Sequence, residues 1–153
     1  MGIDIHVRIV KKDRKENVWK QVQIYKKEAD EFKIIDIYPF RDSNLFEILD
    51  ESEDDTYRAY DIITDDLPPA LKKEIEEWQA DGYGYGFKEI NLADLKLYLY
   101  EVPLVNSDDD PKAWKSNPVK DFIKRIENYI DFAESGWNYS PDSDIRIIYW
   151  FDC

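Results

Sequence analysis

Asp144-Ile145-Arg146-Ile147-Ile148-Tyr149-Trp150-Phe151-Asp152 closes the chain and sets the centre of its sheet. Between the two acids stand three isoleucines and three aromatic residues, types that favour extended backbone. Alternate residues of a strand face opposite ways. Here both parities are apolar, with Ile147, Tyr149 and Phe151 on one side and Ile148 and Trp150 on the other. A strand without a wet face belongs in the interior of a sheet. Its natural neighbour is the opening segment, where Ile3, Ile5, Val7 and Ile9 alternate with Asp4, His6 and Arg8 in period two.

Outward from this pair, the charged run Lys11–Glu16 predicts a turn, and the alternation of Val18, Lys20, Val22 and Ile24 predicts a returning strand. A third strand is expected over Phe32–Tyr38, ended by Pro39, which cannot donate to a ladder. Ser43–Leu49 reads as a short helix capped by Asp42 or Ser43. Leu67, Leu71, Ile75 and Trp78 share one helical face over 67–79, and Asp81-Gly82 supplies the stop. Asn91 and Asp94 have capping spacing before Leu92, Leu95 and Leu99. The longest helix runs from Pro118 to Glu134, with Val119, Phe122, Ile123, Ile126, Ile130 and Ala133 as its buried stripe. The acidic stretch 50–55 and the segment 106–111 read as loops. The expectation is one α+β domain over 1–153: a mostly antiparallel sheet of about four strands with helices packed on one face.

The chain has 153 residues, of which 43% are apolar and 15% aromatic, enough for a real core. Thirty-four acids against 21 bases leave a net charge of -13. That charge repels phosphate backbones and anionic membranes, so neither direct nucleic-acid binding nor membrane association is expected. It suits a basic partner, a cation, or plain solubility. Cys153 is the sole cysteine, so no intrachain disulfide forms and nothing points to secretion. The first residues carry neither a basic nor an apolar leader region. A cytoplasmic protein is expected.

Asp4 and His6, the chain's single histidine, lie two apart on one strand face, so a carboxylate stands beside an imidazole. The pair reads either as the wet face of an amphipathic strand or as a general base or cation site. Asp81-Gly82-Tyr83-Gly84-Tyr85-Gly86-Phe87 gathers three of the five glycines. It follows a helix rather than a strand, which excludes a phosphate-cradling loop. It reads either as a left-handed turn or as a binding loop presenting Tyr83 and Tyr85. Arg41, just before a helix start, reads as an anion contact or as the partner of a nearby acid. Asp50, Ser52, Asp54 and Asp61 imitate a calcium loop, but Asp55 stands where its turn glycine belongs. No nucleophile elbow, zinc-hydrolase motif, nucleotide loop or Cys-x-x-Cys occurs, and no cofactor is expected.

Three features together resemble a group of uncharacterised bacteriophage and prophage proteins: the Gly2-x-Asp4-Ile5-His6 opening, the segment Arg41-x-x-Asn44-Leu45-Phe46-x-Ile48-Leu49, and a proline-led helix ending in Trp78 before Asp81-Gly82. A Leu-rich helix at 92–99 follows, and the likeness covers about the first two-thirds of the chain. Tyr83 and Tyr85 depart from that group's pattern of His or Ser. The resemblance implies an accessory protein in a bacterial cytoplasm and raises Asp4, His6, Arg41 and Asp81 as a group. With Asn44, Tyr83 and Tyr85 these are the ligand-binding candidates, and the charge of -13 points to a basic host or phage protein as partner. Three functions follow as expectations: a non-catalytic binding protein, a divalent-cation-dependent hydrolase or nuclease-like enzyme using Asp4 and His6, and a DNA mimic built on the acids at 50–55, 61–66 and 106–110.

Overall fold

The computed structural model describes residues 3–37, 43–50, 59–101, 118–134 and 141–152. The elements are β1 (Asp4–Asp13), β2 (Val18–Val22), β3 (Tyr25–Glu28), β4 (Glu31–Ile34), α1 (Ser43–Leu49), β5 (Tyr60–Asp61), α2 (Pro69–Asp81), β6 (Tyr85–Asn91), α3 (Leu92–Glu101), α4 (Pro118–Ala133) and β7 (Ile145–Asp152). Five strands form an antiparallel sheet in the order β2-β1-β7-β6-β5, and β3 and β4 form a separate two-stranded ribbon. The α+β class and the antiparallel sheet are as the sequence predicts. The sheet has one strand more than expected, because β6 and β5 add to the side of β7 away from β1.

β7 lies at the centre of the sheet, paired with β1 from Asp4↔Asp152 to Lys11↔Ile145. Its two apolar parities are both covered. Ile147, Tyr149 and Phe151 join Ile5, Val7 and Ile9 under Leu45 and Leu49 of α1, Leu95 of α3, and Phe122 and Ile126 of α4. Ile148, Trp150 and Val10 form a second core with Leu71 and Ile75 of α2, flanked by Trp19, Trp78 and Phe87. The expectation of helices on one face therefore describes α1, α3 and α4, while α2 covers the opposite face. Burying Ile148 and Trp150 removes a large apolar area that a three-helix layer alone leaves wet.

Local signals explain the elements. Pro69 starts α2, and Gly82, in the left-handed region at φ 73°, ends it. Asn91 accepts a hydrogen bond from the Asp94 backbone N–H at 2.7 Å and donates from Nδ2 to the Asp94 carboxylate at 3.0 Å, so the capping pair forms. The strand expected over Val18–Ile24 breaks after Val22. The Ile24 N–H instead donates to the Tyr129 hydroxyl of α4 at 2.9 Å, and the chain leaves the sheet as the ribbon. The strand expected over Phe32–Tyr38 is β4, which ends at Ile34. Among the described residues no helix is long and apolar enough to cross a membrane.

Candidate functional site

On the α2 side of the sheet, β1 presents Asp4, His6 and Arg8, and β7 presents Ile148, Trp150 and Asp152, as the alternation and register require. His6 stands opposite Trp150, and Asp4 opposite Asp152. The partner of His6 is the carboxylate of the facing strand: His6 Nε2 lies 2.7 Å from Asp152 Oδ2. An ionised carboxylate can only accept, so Nε2–H is the donor when it meets one here. The imidazole is stacked on Trp150 with centroids 5.7 Å apart, and it lies 4.7 Å from the tilted ring of Trp78. The His6 and Asp152 side chains are each about one-fifth exposed.

Arg8 ties the sheet to the helix above. Its Nε and Nη2 donate to the two carboxylate oxygens of Glu74 at 2.7 and 3.2 Å, and its guanidinium carbon lies 5.1 Å from the Trp150 ring centre. Such a two-pronged pair fixes orientation as well as charge. It holds α2 so that Glu74, Glu77, Trp78 and Asp81, spaced three and four apart, share one face. Those four residues, with Tyr83 and Asp152, line an open cleft of about 480 Å³. Glu77 and Asp81 are exposed and make no ion pair or hydrogen bond among the described residues.

The sequence candidates separate into three groups. His6, Asp81 and Tyr83 come together, His6 through Asp152, and Asp4 is the cross-strand neighbour of that carboxylate. Tyr85 goes elsewhere: a register shift between Tyr85 and Lys88 sets it opposite Phe151, with ring centres 5.8 Å apart, and Phe151 belongs to the three-helix core. Arg41 and the Asn44 side chain lie outside the described residues, as do 51–55 and 106–110. Asp152, Trp78 and Glu77 are the residues that sequence reasoning missed. Asp152 had a signal, since pairing the first and last strands antiparallel brings the terminal acid of one to the polar end of the other.

Among the described residues no group of three or more His, Cys, Asp or Glu is arranged to hold a metal ion. The cleft offers two carboxylates, unpaired among the described residues, beside an indole and a phenol, a set that attracts a cation through charge and through the aromatic faces. Comparison with family models, with curated proteins and with solved structures gives no match. The likeness to phage proteins rests on the quoted residues alone.

Proposed function

We propose that this chain is a non-catalytic binding protein of phage-accessory type, whose cleft beside α2 takes a lysine or arginine side chain of a basic partner protein. One observation carries the reading: Glu77 and Asp81 stand one turn apart, exposed and without an ion pair among the described residues, beside Trp78 and Tyr83. Like charges at this spacing repel by a few tenths of a kcal/mol in the free helix, and an arriving cation relieves that repulsion. The net charge of -13 steers a basic partner toward the surface, with an on-rate that falls as salt rises.

The test is a titration with a Lys/Arg-rich peptide, followed by NMR. The Trp78 indole and Tyr83 ring signals should shift together at low salt. The double variant Glu77→Gln/Asp81→Asn should weaken binding at least tenfold, since two charge contacts are lost. Equal affinity of the double variant, or shifts confined to other surfaces, overturns the reading.

The enzyme reading draws on the His6–Asp152 pair, 2.7 Å apart on neighbouring strands. It ranks second because Nε2 is engaged by Asp152 and two indoles flank the ring. It requires a hydrolytic activity that His6→Gln abolishes while the unfolding temperature holds. The mimic reading is weakened at Asp61 and Asp66, whose carboxylates pair with Lys88 and Arg146 at 2.7 and 2.9 Å.

A further inference from the structure

The fold itself seats a cation between carboxylate and indole twice. Arg8 donates to both oxygens of Glu74, at 2.7 and 3.2 Å, while its guanidinium carbon lies 5.1 Å from the Trp150 ring centre. Arg146 donates to Asp66 at 2.9 Å and to Glu89 at 2.6 Å, and its guanidinium carbon lies 4.8 Å from the Trp19 ring centre. Lysines are seated otherwise. Lys20 bridges Asp13 and Glu16, and Lys96 bridges Glu127 and Asp142, with no ring against either among the described residues. Lys12 lies 6.0 Å from the Trp19 ring centre and makes no ion pair among the described residues. The chain has fifteen lysines and six arginines, yet both of these carboxylate-and-indole seats hold arginine.

Chemistry accounts for the division. A guanidinium is flat, and its N–H donors lie in its plane. It can donate edge-on to carboxylates while its face rests on a ring, and it is weakly hydrated. An ammonium is a compact charge with three donors and a tightly held water shell, so it serves a carboxylate and a ring together less well.

The cleft beside α2 repeats this combination and leaves it open. Of its carboxylates, Glu74 is held by Arg8 and Asp152 by His6. Glu77 and Asp81 remain, exposed, one turn apart and without an ion pair among the described residues. Trp78 is packed against His6 and flanks the second core, whereas Tyr83 is 75% exposed and makes no ring contact among the described residues. On the reading of this cleft as the seat of a basic partner, we infer that it selects arginine over lysine, the guanidinium donating to Glu77 and Asp81 with its face on the Tyr83 ring.

Two peptides of one sequence, with arginine at every basic position in the first and lysine in the second, are titrated into the full chain at low salt and followed by NMR at Trp78 and Tyr83. The arginine peptide should bind about fivefold tighter or more, the size of one cation–ring contact. Tyr83→Leu removes an exposed ring that belongs to neither core, so the fold should hold. It should weaken the arginine peptide more than the lysine peptide and bring their ratio to about twofold or less. Equal affinity of the two peptides, with both moving the Trp78 and Tyr83 signals, overturns the preference and leaves the cleft a seat for either cation. If neither peptide moves those signals, the basic-partner reading falls with it. A preference untouched by Tyr83→Leu belongs to the acidic surface at large and also overturns the inference.

Discussion

Gly86 and Gly82 both have positive φ, 67° and 73°, yet their surroundings differ. A Cβ on Gly82 meets nothing within 4 Å, whereas one on Gly86 falls 2.6 and 2.7 Å from two ring atoms of Phe151. Gly82→Ala therefore incurs only the left-handed backbone penalty, about 1 kcal/mol. Gly86→Ala adds a clash with a ring buried in the core, for a total of about 2–4 kcal/mol. Urea denaturation of the two variants should separate them by more than 1 kcal/mol, and equal losses would show that Phe151 yields freely. The glycine spacing was legible as a segment needing unusual backbone. Gly82 was legible as the stop of α2, whereas the place of Gly86 at the β-bulge was not, because that role depends on what lies across the strand. At the candidate site, His6 was legible as an imidazole beside a carboxylate on one strand face, and Asp81 as part of the helix stop and through the resemblance. Asp152 was missed although the pairing of the first and last strands was expected, because the register that sets it opposite Asp4 was not read.

Tyr129 fixes where an element leaves the sheet. Its hydroxyl accepts from the Ile24 N–H at 2.9 Å and donates to the Ile35 carbonyl at 2.8 Å, and the Ile35 N–H closes on the Ile24 carbonyl. Burial pushes the phenol above its ordinary pKa, so it remains protonated and able to donate at neutral pH. Tyr129→Phe leaves one amide and one carbonyl without this partner at the ribbon root. A stability loss of about 1–2 kcal/mol is expected. The Ile24 amide should exchange with solvent at least tenfold faster than in the parent, in excess of the change at Val7 or Tyr149 in the sheet centre. Equal acceleration at all three sites would mean that the hydroxyl supports the whole domain rather than the ribbon. The sequence hid this junction because alternation runs unbroken from Val18 to Ile24, although the ladder stops at Val22. β6 was missed for the converse reason: the register shift before Lys88 breaks its period of two. By contrast, α1, α4 and the Asn91–Asp94 cap were legible, since stripe and cap are local signals within one turn of helix. The placement of α2 was written in β7, whose second apolar parity calls for a cover of its own.

The whole molecule is organised by a pairing between its first and last strands. His6 and Asp152 are 146 positions apart in sequence and 2.7 Å apart in space. Asp4 stands directly opposite Asp152, so a linker of about four to six residues spans the ends. Deleting 145–153 removes the strand on which both cores rest, and the remaining chain should show no cooperative unfolding transition by circular dichroism. Joining the ends and opening the chain between Ala29 and Asp30, at the exposed ribbon turn, keeps every sheet contact. That permutant should retain stability within about 2 kcal/mol, because cuts in exposed turns are well tolerated. It should also refold faster. In the parent, β1 must find β7 across nearly the full chain, whereas in the permutant the pair is a hairpin, and loop closure favours it by roughly 2–3 kcal/mol. If that pairing forms in the transition state, stopped-flow refolding accelerates by about tenfold or more. A permutant that is equally stable but refolds at the parent's rate would place the meeting of β1 and β7 after the rate-limiting step, with the helices and the β6–β7 pair assembling first.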